Sequence, residues 1–233
     1  MRRFQLICLA LVLTASAARA QEKLNVVASF SILGDFVKIV GGDRVNVTTL
    51  VGPDSDVHVY SPTPTDAKKI ADAKLVIING LGLEGWLPRL VQSSGSKAAV
   101  VVASAGITPG RLGSDADPHA WQSVANARTY VANIGAALGA ADPADAEIFR
   151  SNTDAYRAKL DALDQEIRQA VAQIPPGLRK AMTAHDAFGY FGAAYGIEFI
   201  APTGISTESE ASARDVAAMI TEIKTAKIRA VFL

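Results

Sequence analysis

The chain of 233 residues has a single cysteine, Cys8, and it lies among the first twenty residues. From residue 21 onward there is no thiol, so disulfides and thiolate metal sites are both excluded there. A chain with a sufficient core needs no such staples, so the lack is compatible with an oxidising compartment. An excess of charge of one sign is also missing. The formal net charge is zero, and without Arg2, Arg3 and Arg19 the rest of the chain carries 20 basic and 23 acidic side chains. No basic block runs through it, which excludes a nucleic-acid footprint. Histidine is scarce too: His58, His119 and His185 are the only three, with no HxH or HExxH pair among them.

What is present begins with a leader. Arg2 and Arg3 precede an unbroken apolar run from Leu6 to Leu13, and Ala18-Arg19-Ala20 places small residues where a signal peptidase reads. Residues 1–20 are therefore expected to be a cleavable secretory signal peptide, too short in its apolar part for a permanent membrane span. The arginine pair resembles a twin-arginine start, but the residues after it fit ordinary secretion better. Cys8 is not placed as the first mature residue, which argues against lipid anchoring there.

Strand and helix patterns then alternate. Leu24 to Phe30, Val45 to Val51, Leu75 to Ile78 and Ala98 to Ala103 read as apolar strands. Helical patterns lie at 32–40, 65–73 and 84–92. Such alternation predicts a parallel sheet and an α/β lobe over 21–140, its apolar strands covered on both faces. Trp121 to Leu138 is expected to be helical. A long helix follows from Pro143 to Gln173, within a linking segment at 141–175. Asp142 caps it, Pro143 fits its first position, and Asp145 and Glu147 suit its positive end. Phe149, Tyr156, Leu160, Leu163, Ile167, Ala170 and Ile174 mark one apolar stripe, and Pro175-Pro176 stops it. At about 1.5 Å per residue the helix is roughly 45 Å long. It is long enough to run along more than one lobe, the other reading being a helix on one large domain. Alternation resumes over 176–233, with strands expected at 180–184, 197–201 and 228–233 and helices at 187–195 and 211–226. The second lobe thus shows three strands against four in the first. The chain stops at Phe232-Leu233 inside a strand pattern, which predicts a partial C-terminal lobe with further sequence missing.

The three histidines share a position. His58 follows the second strand, His119 lies beyond the fourth, and His185 ends the first strand of the second lobe. Open α/β sheets place ligand sites at those strand ends, and imidazole suits zinc and other first-row metals. Asp56, Asp117 and Asp186 stand beside them in sequence as candidate acceptors for the second ring N–H of a metal-bound imidazole. A lone loop histidine also serves as a bystander, pH switch or base, and gaps of 61 and 66 residues give no local help.

The motifs around them carry a resemblance. The stretch from Val51 through Asp54, Asp56, His58, Tyr60, Pro62 and Pro64 to Asp66 resembles the first histidine motif of the cluster A-I, or ZnuA/TroA-like, metal-binding proteins of ABC importers. The block from Ala71 through Asn79, Gly80 and Glu84 to Trp86 is similar to the family's next block. Asp117-Pro118-His119-Ala120-Trp121 and the run from Thr183 through His185, Tyr190 and Tyr195 to Ile197 are similar to its second and third ligand motifs. Gly204 to Asp215 resembles a further signature. The motifs keep the family's order over the mature chain.

The resemblance implies two α/β lobes joined by a backbone helix, with a metal in the cleft on His58, His119 and His185. It implies a fourth carboxylate ligand beyond Leu233, a periplasmic carrier acting as a monomer, and an ABC permease as membrane partner. Val57 stands where many relatives have proline, and 103–116 lacks the histidine-rich loop of many zinc members. With three imidazoles the expected cargo is Zn²⁺, with Mn²⁺ or iron as the alternative. Ligand histidines must be neutral, so binding is expected to weaken as pH falls through about 6. Two other classes remain at this point. One is a zinc hydrolase using Asp186 or Glu208 as base, and the other is a secreted adhesin.

Overall fold

A computed structural model describes residues 22–201, 212–226 and 228–232. The leader at 1–20 and most of the Gly204 to Asp215 signature, Glu208 included, lie outside the described residues.

The first sheet has four parallel strands in the order β2-β1-β3-β4, with β1 at Leu24–Phe30, β2 at Val45–Val51, β3 at Leu75–Ile78 and β4 at Ala99–Val102. The apolar runs fold as central strands because they can be buried: Val26, Val27 and Ala28 of β1 and Val76 and Ile77 of β3 are all shielded from solvent. β4 departs from the expectation of cover on both faces. It is an edge strand, and Val100 and Val102 remain 44% and 38% exposed. The crossovers are α1 (Ser31–Gly41), α2 (Pro64–Ala71) and α3 (Leu87–Ser94). α1 ends at Gly42, whose φ of 54° is the turn conformation glycine adopts at little cost. α2 starts on a capping box in which Thr63 and Asp66 satisfy each other's backbone N–H groups. Between β4 and His119 a two-residue antiparallel pair, β5 (Arg111–Leu112) and β6 (Asp115–Ala116), has no periodic signal long enough to read in sequence.

Two helices lead out of this lobe, α4 (Val124–Ala141) and α5 (Ala146–Ala172). The expected start of α5 at Pro143 is a single 3-10 turn, Pro143–Asp145, capped by the Asp142 side chain on the Ala144 N–H. The helix proper has 27 residues, roughly 40 Å at about 1.5 Å per residue. Its first half packs on the first lobe: Phe149 and Thr153 are buried, and Asn152 donates to the Val40 carbonyl at 2.9 Å. Its second half reaches the other lobe, where Tyr195 donates to Asp164 at 2.8 Å and Arg168 donates to the Ala194 carbonyl at 3.0 Å. This division explains why the apolar stripe fails in part. Leu163 is 42% exposed, while Thr153 and Val171 are buried in its stead. The face that is covered changes where the helix passes from one lobe to the next.

The second sheet is three parallel strands, β8-β7-β9, formed by β7 (Lys180–Thr183), β8 (Glu198–Ile200) and β9 (Ala230–Phe232). α6 (Gly189–Tyr195) and α7 (Ala213–Thr225) are its helices. The connections leaving the carboxyl ends of β2, β4 and β7 meet in one cleft between the sheets. None of the described helices is long and apolar enough to cross a membrane.

Candidate metal centre

His58 sits in the connection from β2 to α2. Its backbone N–H donates to the Asp56 carboxylate at 2.8 Å, and the preceding Val57 carbonyl accepts from the Trp86 indole at 3.0 Å. Two residues on, the Tyr60 ring meets Trp86 at 5.1 Å between centroids, and its hydroxyl donates to Asp66 at 2.8 Å. The loop is thus fastened to the start of α2 and to the 86 region. Prolines 62 and 64 limit its remaining freedom.

His119 is held by the same local device. Its backbone N–H donates to Asp117 at 2.9 Å. The same carboxylate lies 2.8 Å from its Nδ1. A carboxylate only accepts, so the ring hydrogen belongs on Nδ1, and Nε2 keeps its lone pair. Both residues are almost fully buried. His185 leaves β7, and its carbonyl accepts from the Thr183 hydroxyl at 3.0 Å.

The three rings converge. His58 Nε2 and His119 Nε2 are 3.1 Å apart. Ring centroids are separated by 5.1 Å (58–119), 5.8 Å (58–185) and 5.3 Å (119–185). One ligating nitrogen from each histidine lies within 4.8 Å of the other two. Two nitrogens on a tetrahedral zinc, each at about 2.0 Å from the ion, stand roughly 3.3 Å apart. The His58–His119 pair therefore already has the bite of a shared ion, and an approach of at most about 1.5 Å brings His185 to the same spacing. The surrounding cleft has a volume of about 610 Å³ and is walled by Phe30, Ile32, Trp121 and Phe188.

Electrostatics agree with a cation-seeking site. Burial first, then the neighbouring His119, depresses the pKa of both His58 and His185, favouring neutral imidazoles. Burial and the negative charge of Asp117 push the Asp186 carboxyl up. Of the three aspartates expected to orient rings, Asp117 does so. Asp56 instead accepts the backbone N–H of its histidine. Asp186 shares the field of His119 and His185.

The structure adds residues to which sequence reasoning assigned no role. The Asn79 amide donates to the Pro118 carbonyl at 2.9 Å, directly before His119, and its Oδ1 accepts from the Tyr130 hydroxyl at 2.5 Å. Glu84 accepts from the Ser29 hydroxyl at 2.6 Å and from the Asn79 and Gly80 N–H groups at 2.6 and 3.1 Å. Burial raises the Glu84 pKa. Gly80, at φ 81°, closes this turn, and a Cβ there would meet Val102 at 2.5 Å. In sequence the stretch reads as a turn before a helix within a family-like block, with no role attached to its residues. Its polar atoms turn inward because three separate elements meet there.

A cleft between two parallel sheets, spanned by one long helix and holding three converging imidazoles, defines a two-lobed metal-binding protein. The chain belongs to the ZnuA family, described as the periplasmic component A of a zinc-uptake complex, whose family model matches residues 26–233. It is 37% identical over 226 residues to the manganese-binding lipoprotein MntA of Bacillus subtilis (strain 168), with 94% of this chain and 74% of that protein covered. It is 36% identical over 216 residues to the iron-binding protein YfeA of Yersinia pestis, covering 91% and 69% respectively. Among solved structures, the periplasmic zinc-binding protein TroA from Treponema pallidum superposes with a TM-score of 0.85 at 33% identity, covering 91% of this chain and 78% of that one. Membership of this family makes the chain a substrate-binding transport protein and not an enzyme.

Proposed function

We propose that this protein captures one divalent transition-metal ion on His58, His119 and His185 and hands it to the membrane permease of an ABC importer. The observation that carries the assignment is the convergence of three imidazole nitrogens within 4.8 Å, two from one lobe and one from the other. The metal is cargo, so the protein's task is to bind and release it.

Zinc is the favoured ion. A donor set dominated by three imidazoles ranks zinc above manganese in intrinsic affinity, and manganese sites draw on more oxygen ligands. The named relatives bind manganese, iron or zinc, so the family supports a divalent metal and the donor chemistry supports the choice within it. We place the protein in the periplasm as a monomer, released from its leader by cleavage.

Competition titration of zinc against manganese on the purified chain tests this reading. Zinc should win, and single changes of His58, His119 or His185 to Ala should each lower zinc affinity by at least about 100-fold. Undiminished affinity in any one of them removes that residue from the site, and a preference for manganese overturns the choice of ion.

A further inference from the structure

The turn that carries His119 is also gripped from the second lobe. Tyr190, the second residue of α6, donates its hydroxyl hydrogen to the Asp117 carbonyl at 2.8 Å and accepts the Gly110 N–H at 2.8 Å. Asp117 is the residue whose carboxylate orients the His119 ring. The preceding residue, Gly189, lies so near that a Cβ on it would stand 2.9 Å from the Asp117 Oδ2. A Cβ on Gly110 would stand 3.3 Å from the Tyr190 Cζ. α6 is therefore seated closely on the Asp117 turn at two adjacent residues. His185 leaves β7 in the connection that leads into α6. One short segment thus supplies a candidate ligand and, five residues later, a hydrogen bond to the backbone that orients another.

We propose that Tyr190 is a positioning residue whose phenol fixes the distance between the His119 turn and the His185 connection and so sets metal affinity. The proposal rests on the reading that the three histidines hold the ion. Three donors carried by two lobes bind tightly only when the lobes are already in register; otherwise part of the binding energy goes into ordering them. The Tyr190 hydroxyl is one atom that holds this register before metal arrives. Removing it leaves the ring packing in place and deprives the Gly110 N–H and the Asp117 carbonyl of a partner.

The test is a zinc competition titration on the full chain in four forms: unchanged, Tyr190→Phe, His185→Ala, and both together. Tyr190→Phe is expected to weaken zinc binding about 10-fold in the unchanged background. It should have little further effect when His185 is already Ala, because the second lobe then supplies no ligand to hold in register. A residue that serves stability alone would lower the melting temperature of the metal-free protein and leave zinc affinity unchanged, and that result overturns the proposal. An equal loss in both backgrounds also overturns it, since Tyr190 would then act on His119 without reference to His185. Should Tyr190→Phe fail to fold, Gly189→Ala carries the test, because its Cβ displaces α6 from Asp117 while keeping the phenol. Zinc affinity should fall there too, and unchanged affinity overturns the proposal. If the unchanged protein binds neither zinc nor manganese, the three-histidine reading itself falls, an outcome separable from all the others.

Discussion

At the scale of the residue, the first lobe presents both of its histidines by one stereochemical device. In Asp56-Val57-His58 and Asp117-Pro118-His119, an aspartate side chain accepts the backbone N–H of the histidine two positions later. This turns a flexible loop into a fixed mount. Only Asp117 goes on to hold the ring. Replacing Asp117 with Ala is expected to reduce metal affinity by about 10- to 100-fold, the usual effect of losing a ring-orienting carboxylate, as read by chelator competition. The depressed pKa values of His58 and His185 set the direction of the pH response. In the unfolded chain these rings protonate below about pH 6.5, whereas the fold resists protonation. The metal-free protein should therefore lose stability as pH falls below that value, down to the depressed folded pKa, and show no further change from these groups beneath it. Metal binding should persist further into acid than free imidazole would allow. Urea unfolding at stepped pH and metal titration over the same range check both. The ligand candidates were legible from strand-end position and motif. The Asn79–Tyr130–Glu84 support was not, because a hydrogen bond between residues 79 and 118 leaves no periodic trace in either stretch.

At the scale of the element, strands announced themselves through apolar β-branched runs, and β1, β2 and β3 lie where the pattern put them. α5 shows the limit of that method. Periodicity detects one stripe, but a helix that changes neighbours midway has two, and Leu163 falls between them. The close approach of α4 and α5 depends on a position that no pattern identifies: a Cβ on Gly135 would lie 2.1 Å from the Thr153 hydroxyl oxygen, itself bonded to the Phe149 carbonyl at 2.7 Å. Gly135→Ala should therefore destabilise the fold by about 1–3 kcal/mol through overpacking. Denaturant unfolding should register that loss, while zinc affinity of the folded fraction stays near that of the unchanged protein.

At the scale of the whole molecule, two sheets with separate hydrogen-bond ladders are joined by α5, by α6 seated on the Asp117 turn, and by the proposed ion. An ion that binds only the folded, juxtaposed lobes adds stability in proportion to the logarithm of its concentration. Zinc at about 100 times its dissociation constant should add roughly 2.7 kcal/mol, seen as a rise in melting temperature that His185→Ala largely abolishes. An unchanged melting temperature at saturating zinc would contradict a site built across the lobes.

The spacing of the three nitrogens also implies an order of events. Two imidazoles of the first lobe stand 3.1 Å apart, whereas the nitrogen from the second lobe lies within 4.8 Å of both. If the three histidines hold the ion as proposed, His185 is the ligand expected to let go first, since it alone belongs to the second lobe. On that reading, an acceptor reaching the ion from the side of the second lobe is expected to take hold of it while the first lobe still binds it.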